Sequence, residues 1–195
     1  HMRAEAHLDP RATLAALRAR LAGAGVEFLE QGTPEGQVID CRGLAARDSL
    51  PDLRGVKGEM VVLRAPGLAL SRPVRLLHPR YPLYIVPRAD GLFMLGATQI
   101  ESGERGRATV RSALELLSAA YALHPAFGEA EIVEIGADAR PAFPDNLPRI
   151  TRLENRLYVN GLFRHGFLLA PALARMVGDL LLDNKKPELW HEDHR

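Results

Sequence analysis

Apolar positions recur along the chain at two spacings. Asp9-Pro10 combines a capping aspartate with a first-turn proline, and Leu14, Leu17 and Leu21 then fall on one side of a helix that Gly23 and Gly25 end. Val26 to Leu29 reads as a strand, Gly32 to Gly36 as a turn, and Val38-Ile39 as the start of a second strand. This strand runs into Asp40-Cys41-Arg42-Gly43-Leu44-Ala45-Ala46, whose small residues let a backbone come close to a ligand or to another strand. After Gly55 the pattern becomes strand upon strand. Met60 to Leu63, Val74 to Leu77, Leu83 to Val86 and Leu92 to Leu95 are short apolar runs, with Asp90-Gly91 as a hairpin signal between the last two.

Thr109 caps a helix with Val110, Ala113, Leu114, Leu117 and Tyr121 on one side, and Pro125 stops it. Ile132 to Ile135 reads as a further strand. Asp138 to Pro148 reads as a proline-rich connection without regular structure, and Leu157 to Val159 as a buried strand. A last helix is predicted to begin near Pro171, with Leu173, Val177, Leu180 and Leu181 at helical spacing. The fold class is therefore α+β, with an antiparallel sheet and a packed helix over residues 56–137.

Composition narrows the function. The chain has 195 residues, 47% hydrophobic and 25% charged, as in an ordinary globular protein with a sizeable core. A net charge of +1, with the cations spread along the chain, argues against nucleic acid as the main partner. Cys41 is the single cysteine, which excludes a disulfide within one chain and fits a reducing cytosol. No apolar run approaches the ~18 residues of a membrane span. His1-Met2 reads as an expression scar, so the chain is expected to begin in mid-protein.

Candidate chemistry is concentrated late in the chain. Gly161-Leu162-Phe163-Arg164-His165-Gly166 lies between a strand and a helix N-terminus, an arrangement that can hold an anion or an electron-rich ring edge. Arg140, set among prolines, suits a carboxylate through its planar fork; a surface pair with a nearby acid is the plainer reading. His191, Glu192, Asp193 and His194 read as a solvated tail rather than a metal site. Cys41 reads as a small buried residue rather than a nucleophile. Tyr81-Pro82 suits either a lid or a strand entry.

Several segments, in order, resemble one family. They are Val38 to Ala45, Gly55-Val56-Lys57-Gly58-Glu59, Leu83-Tyr84-Ile85-Val86-Pro87-Arg88, Leu95-Gly96-Ala97-Thr98, Ala139-Arg140-Pro141 and Gly161 to Pro171. Together they are similar to the D-amino-acid oxidase family of flavoproteins, and within it to the glycine oxidases of thiamine biosynthesis. The resemblance implies FAD-dependent oxidation of a small amino acid to an imine, with hydrogen peroxide as co-product, and self-association in many members. It implies that Arg140 grips the substrate carboxylate, with Tyr84 and Arg164 in the same pocket. Gly43, Gly161, Phe163, Arg164, Gly166, Phe167, Leu168 and Leu169 match the stretches that meet the flavin. The helix N-terminus near Pro171 is expected to stabilise negative charge on the reduced ring.

The match is not uniform. Leu162, His165 and Gln99 stand where members often carry His, Asn and Met, and Arg42 is bulkier than the usual residue of its turn. His165 reads as structural. A glycine-rich dinucleotide fingerprint is absent, since Gly103-Glu104-Arg105-Gly106 has the wrong spacing and no strand before it. The resemblance therefore implies the C-terminal portion of such an oxidase. Residues 1–55 and 138–184 would belong to an incomplete FAD-binding, Rossmann-like domain, 56–137 to the substrate domain and 185–195 to a polar tail. The missing N-terminal half would be its partner, and FAD binding by this portion alone is expected to be weak or absent. The alternative is a substrate-binding or interaction module that keeps the fold without the redox chemistry.

Overall fold

The computed structural model describes residues 6–77 and 83–192, so Tyr81-Pro82, Asp193 and His194 lie outside the described residues. Two compact units divide at Val38/Ile39. In the first, α1 (Pro10–Gly23) begins as the sequence implies, with the Asp9 side chain accepting from the Ala12 N–H at 2.9 Å. Leu14, Leu17 and Leu21 share a face, but no residue of α1 is buried. Val26 to Leu29 is not a strand. With Gly25 at φ 87°, the Val26 N–H turns back to the Leu21 carbonyl, and the Gly25 N–H to Ala22, so Val26 closes the helix instead of extending away from it.

The second unit holds two sheets. A five-stranded antiparallel sheet has the order β3 (Val74–Leu76), β4 (Leu83–Pro87), β5 (Leu92–Gly96), β2 (Arg54–Arg64) and β6 (Glu131–Ala142). Its helix, α2 (Val110–Leu123), packs on one face, where Val61, Leu63, Ile85, Phe93 and Leu95 meet Leu116 and Ala120. The buried side of α2 is Ser112, Leu116 and Ala120, while the expected inward residues Val110, Leu114 and Tyr121 are exposed. Small residues at four-residue spacing bring the helix close to the sheet and leave the bulkier stripe outside.

β6 is longer than the apolar run Ile132 to Ile135 suggests. Asp138 to Ala142, expected as irregular connection, continues the ladder, with Arg140 opposite Val56 and Pro141 opposite Gly55. A proline is accommodated because β6 is an edge strand, so the ladder with β2 does not need its N–H. A bulge at the Val62/Leu63 step leaves Val133 unpaired.

The four-stranded sheet has the order β1 (Val38–Asp40), β8 (Arg156–Asn160), β7 (Arg149–Leu153) and β9 (Trp190–His191). α3 (Gly166–Asp183) packs on it through Leu173 and Val177, against Ile150 and Leu157. α3 begins at Gly166 rather than near Pro171, because a proline one turn in forfeits a single backbone bond and the flanking apolar residues hold the helix. β7 has no counterpart in the sequence reading. The supposed polar tail returns to the sheet, pairing Trp190 beside Ile150, with Trp190 packed against the same core.

Candidate functional site

The five-stranded sheet has a second face, opposite α2, and its register decides what stands there. Residues directly opposed across antiparallel strands point to the same side. Val56, Gly58 and Met60 of β2 therefore share this face with Arg140, Asp138 and Gly136 of β6, and Met60 carries the row on to Gly96 and Tyr84. Arg140 and Tyr84, which the sequence places in one pocket, do lie on one face. Gly58, Gly96 and Gly136 keep the floor between them low.

The Arg140 guanidinium lies over Gly58, where a Cβ would collide with Cζ and both terminal nitrogens. Its Nη1 donates to the Thr98 carbonyl at 3.3 Å. The nearest acid along β6, Asp138, is already held by Arg105, with Nε donating at 2.6 Å and Nη2 at 3.1 Å. Among the described residues no carboxylate pairs with Arg140. Burial pushes its guanidinium below the ordinary value; Tyr84 opposes this shift and the charge of Arg164 adds to it. A half-buried cation with neutral acceptors only is an anion site by its own electrostatics.

Arg164 reaches the same neighbourhood from another element. Its Nη1 donates to Gln99 Oε1 at 3.4 Å, so the two arginines are held by consecutive residues, Thr98 and Gln99. The Phe163 N–H donates to the Pro141 carbonyl at 3.0 Å, which ties the Gly161–His165 loop to the strand that carries Arg140. Phe163 sits at φ 48° and Gly161 at φ 80°. Gly161 packs so closely on Phe143 that a side chain there would strike the ring.

Asn160, missed by the sequence reading, joins two of the segments. It is 2% exposed; Nδ2 donates to the Gly43 carbonyl at 2.9 Å, and Oδ1 accepts from the Gly161 N–H at 2.8 Å. The Asn-Gly pair at the strand end was its only sequence signal. Gly43 itself, at φ 62°, would have only Pro141 near an added Cβ, at 3.8 Å. Arg42 turns away onto Asp48, in a paired contact at 3.0 and 3.1 Å, and onto Asp40 at 2.8 Å, so its bulk is committed to its own turn.

At the start of α3, His165 provides no side-chain cap, which leaves the first-turn N–H groups of Gly166, Phe167 and Leu168 without a side-chain acceptor. Phe167 and Leu168 are exposed there, an apolar surface beside polar donors. These features suit the flat ring end of a flavin. The donor set lacks the glycine-rich turn that a pyrophosphate requires. Cys41 is exposed rather than buried as expected, and desolvation and the Asp40 carboxylate both raise its thiol, the wrong direction for a nucleophile. Among the described residues no cluster could hold a metal, and His191 instead lies 3.4 Å from Arg149. No helix among them is long and apolar enough to cross a membrane.

Comparison with known proteins agrees with this layout. Over 192 residues the chain is 55% identical to a Rhizobium etli protein named as a thiamine biosynthesis oxidoreductase, ThiO, covering 95% of this chain and 59% of that protein. It is 32% identical over 140 residues to a glycine oxidase of Bacillus licheniformis, covering 70% of this chain and 37% of that enzyme. The crystal structure of glycine oxidase from Bacillus cereus superposes with a TM-score of 0.69 at 26% identity, covering 78% of this chain and 44% of that one. The chain thus spans under two thirds of the length of these relatives. The family model described as DAO, FAD dependent oxidoreductase, matches residues 1–180. The chain belongs to the DAO family of FAD-dependent oxidoreductases.

Proposed function

We propose that this chain is the substrate-side, C-terminal portion of a longer FAD-dependent amine oxidase that oxidises glycine or another small amino acid and works in thiamine biosynthesis. One observation carries the reading. Arg140 is a half-buried cation over a glycine floor, with a carbonyl as its partner and its nearest acid engaged elsewhere. Its free donors fit the carboxylate of an amino acid. Tyr84 closes the same face, and Arg164 adds a second positive charge at the loop. The names of the relatives, an oxidoreductase of thiamine biosynthesis and glycine oxidases, support the same substrate class.

Gly43, Gly161, Phe163, Arg164, Gly166, Phe167, Leu168 and Leu169 are the residues we assign to the ring of FAD. When bound, FAD supplies the two-electron oxidation of the amine to the imine, with oxygen as final acceptor and hydrogen peroxide as product. The chain's own part is positional. Arg140 fixes the carboxylate, so the α-carbon is held at one height above the sheet. The uncapped start of α3 and Arg164 favour negative charge beside them. Residues 56–137 serve as the substrate domain, flanked by 1–55 and 138–184 as parts of the FAD domain. The lone Cys41 accords with a cytosolic place of work.

The test uses the intact protein. A yellow preparation with a flavin spectrum that releases peroxide when glycine is added is the expected result. A colourless protein that FAD does not reconstitute would sink the proposal and favour a binding module without redox chemistry. This portion alone, lacking a phosphate cradle, is expected to show no oxidase activity even with added FAD.

A further inference from the structure

The five-stranded sheet is only partly covered. Strands lie about 4.8 Å apart and a helix is about 10 Å across, so five strands call for roughly two helices on a buried face. α2 packs over β2, β4 and β5. Between α2 and β6 an open groove remains, floored by Leu63 and Phe127 and walled by Leu117 and Tyr121 on one side and Ile132 on the other. The Tyr121 ring lies over Gly128, where an added Cβ would meet it at 2.8 Å. Leu114 is 61%, Tyr121 59%, Ile132 52% and Ile135 45% exposed, all at the groove or its margin. A contiguous apolar strip of this kind marks a surface that is covered in the working molecule.

We propose that this groove seats an amphipathic helix supplied by the part of the longer protein that has no counterpart in this chain. The inference rests on the reading of the chain as a portion of a larger oxidase, and concerns a surface away from the substrate face. The Rhizobium etli relative is matched along 95% of this chain but over only 59% of its own length, so it has ample chain for a further layer. Among the described residues no helix fills the place: α3 packs on the other sheet, and α1 has no buried residue. The occupant presents apolar residues at three- and four-residue spacing to Tyr121 and Ile132, and polar residues to water.

The experiment joins the unmatched N-terminal part of the Rhizobium etli protein to the start of this chain and compares amide hydrogen exchange with that of the chain alone. Exchange over 114–121 and 131–136 is expected to slow at least tenfold in the fusion. Tyr121→Glu and Ile132→Glu are expected to lower the Tm of the fusion and leave that of the chain alone nearly unchanged. A yellow, glycine-oxidising fusion with these segments still fast would overturn the groove assignment and leave the oxidase reading intact. Slowed exchange in a colourless fusion would support the groove and count against the oxidase. Concentration-dependent protection of the same segments in the chain alone would give the surface to a second copy and overturn the proposal.

Discussion

The guanidinium of Arg140 occupies the space in which any residue other than glycine at position 58 would place its Cβ. The substrate arginine and its floor were therefore selected as a pair. Gly58→Ala pushes against the far end of a flexible side chain rather than against backbone, so folding stability is expected to change little. The apparent KM for glycine in the intact enzyme is expected to rise about tenfold, since one charge-assisted bond is worth roughly 1.5–3 kcal/mol. A drop in Tm with unchanged KM would show that Gly58 serves packing alone.

Arg140→Ala removes the fork itself. Apparent affinity for glycine is expected to fall about 10- to 100-fold, from the same range of charge-assisted hydrogen-bond energies. Steady-state kinetics with peroxide detection measure it, and an unchanged KM would take Arg140 out of the site.

Asn160→Ala leaves the Gly43 carbonyl and the Gly161 N–H without their buried partner. Each such group costs on the order of 1–3 kcal/mol, so a clear loss in the urea midpoint is expected. Flavin affinity of the intact protein should fall with it, because both glycines flank the assigned ring site. A variant with wild-type stability would mean that water replaces the amide at no cost.

Acid should loosen the other face of the sheet. Burial alone would raise the Glu59 carboxyl, but hydrogen bonds from Ser112, Lys57 and the Thr109 N–H outweigh it and hold it below its ordinary value. A carboxyl with a lowered folded value contributes stability that is fully present above its unfolded value, about 4.3, and is lost as pH falls through the folded value. Urea unfolding from pH 7 to pH 3 should show this loss, with a smaller slope in Glu59→Gln. Equal slopes in both proteins would assign the acid sensitivity to other carboxyls.

Much of this arrangement was legible in the sequence. The strands from Met60 to Leu95 follow apolar runs, and Asp90 and Gly91 both take the positive φ that their hairpin signal implies. The site residues came through family resemblance, and the register then set Arg140 and Tyr84 on one face. What was hidden has physical causes. α2 carries two apolar stripes, and periodicity cannot say which one meets the sheet; Ser112 and Ala120 won because small residues permit close approach. β7, Arg149-Ile150-Thr151-Arg152-Leu153, is too polar to stand out, and its strand character comes from pairing on both sides. Pro141 disguised the end of β6, since only tertiary context shows that the strand is at an edge.

The unpaired Val133 adds a constraint on parity. Side chains of a strand alternate between faces, so the number of residues between the bulge and Arg140 decides whether the arginine meets substrate or the α2 core. A single inserted or deleted residue in that interval would turn the cation into the hydrophobic layer, whereas a change of two would preserve its side and only shift it along the strand. Length variation within this stretch of β6 is therefore tolerable only in even steps.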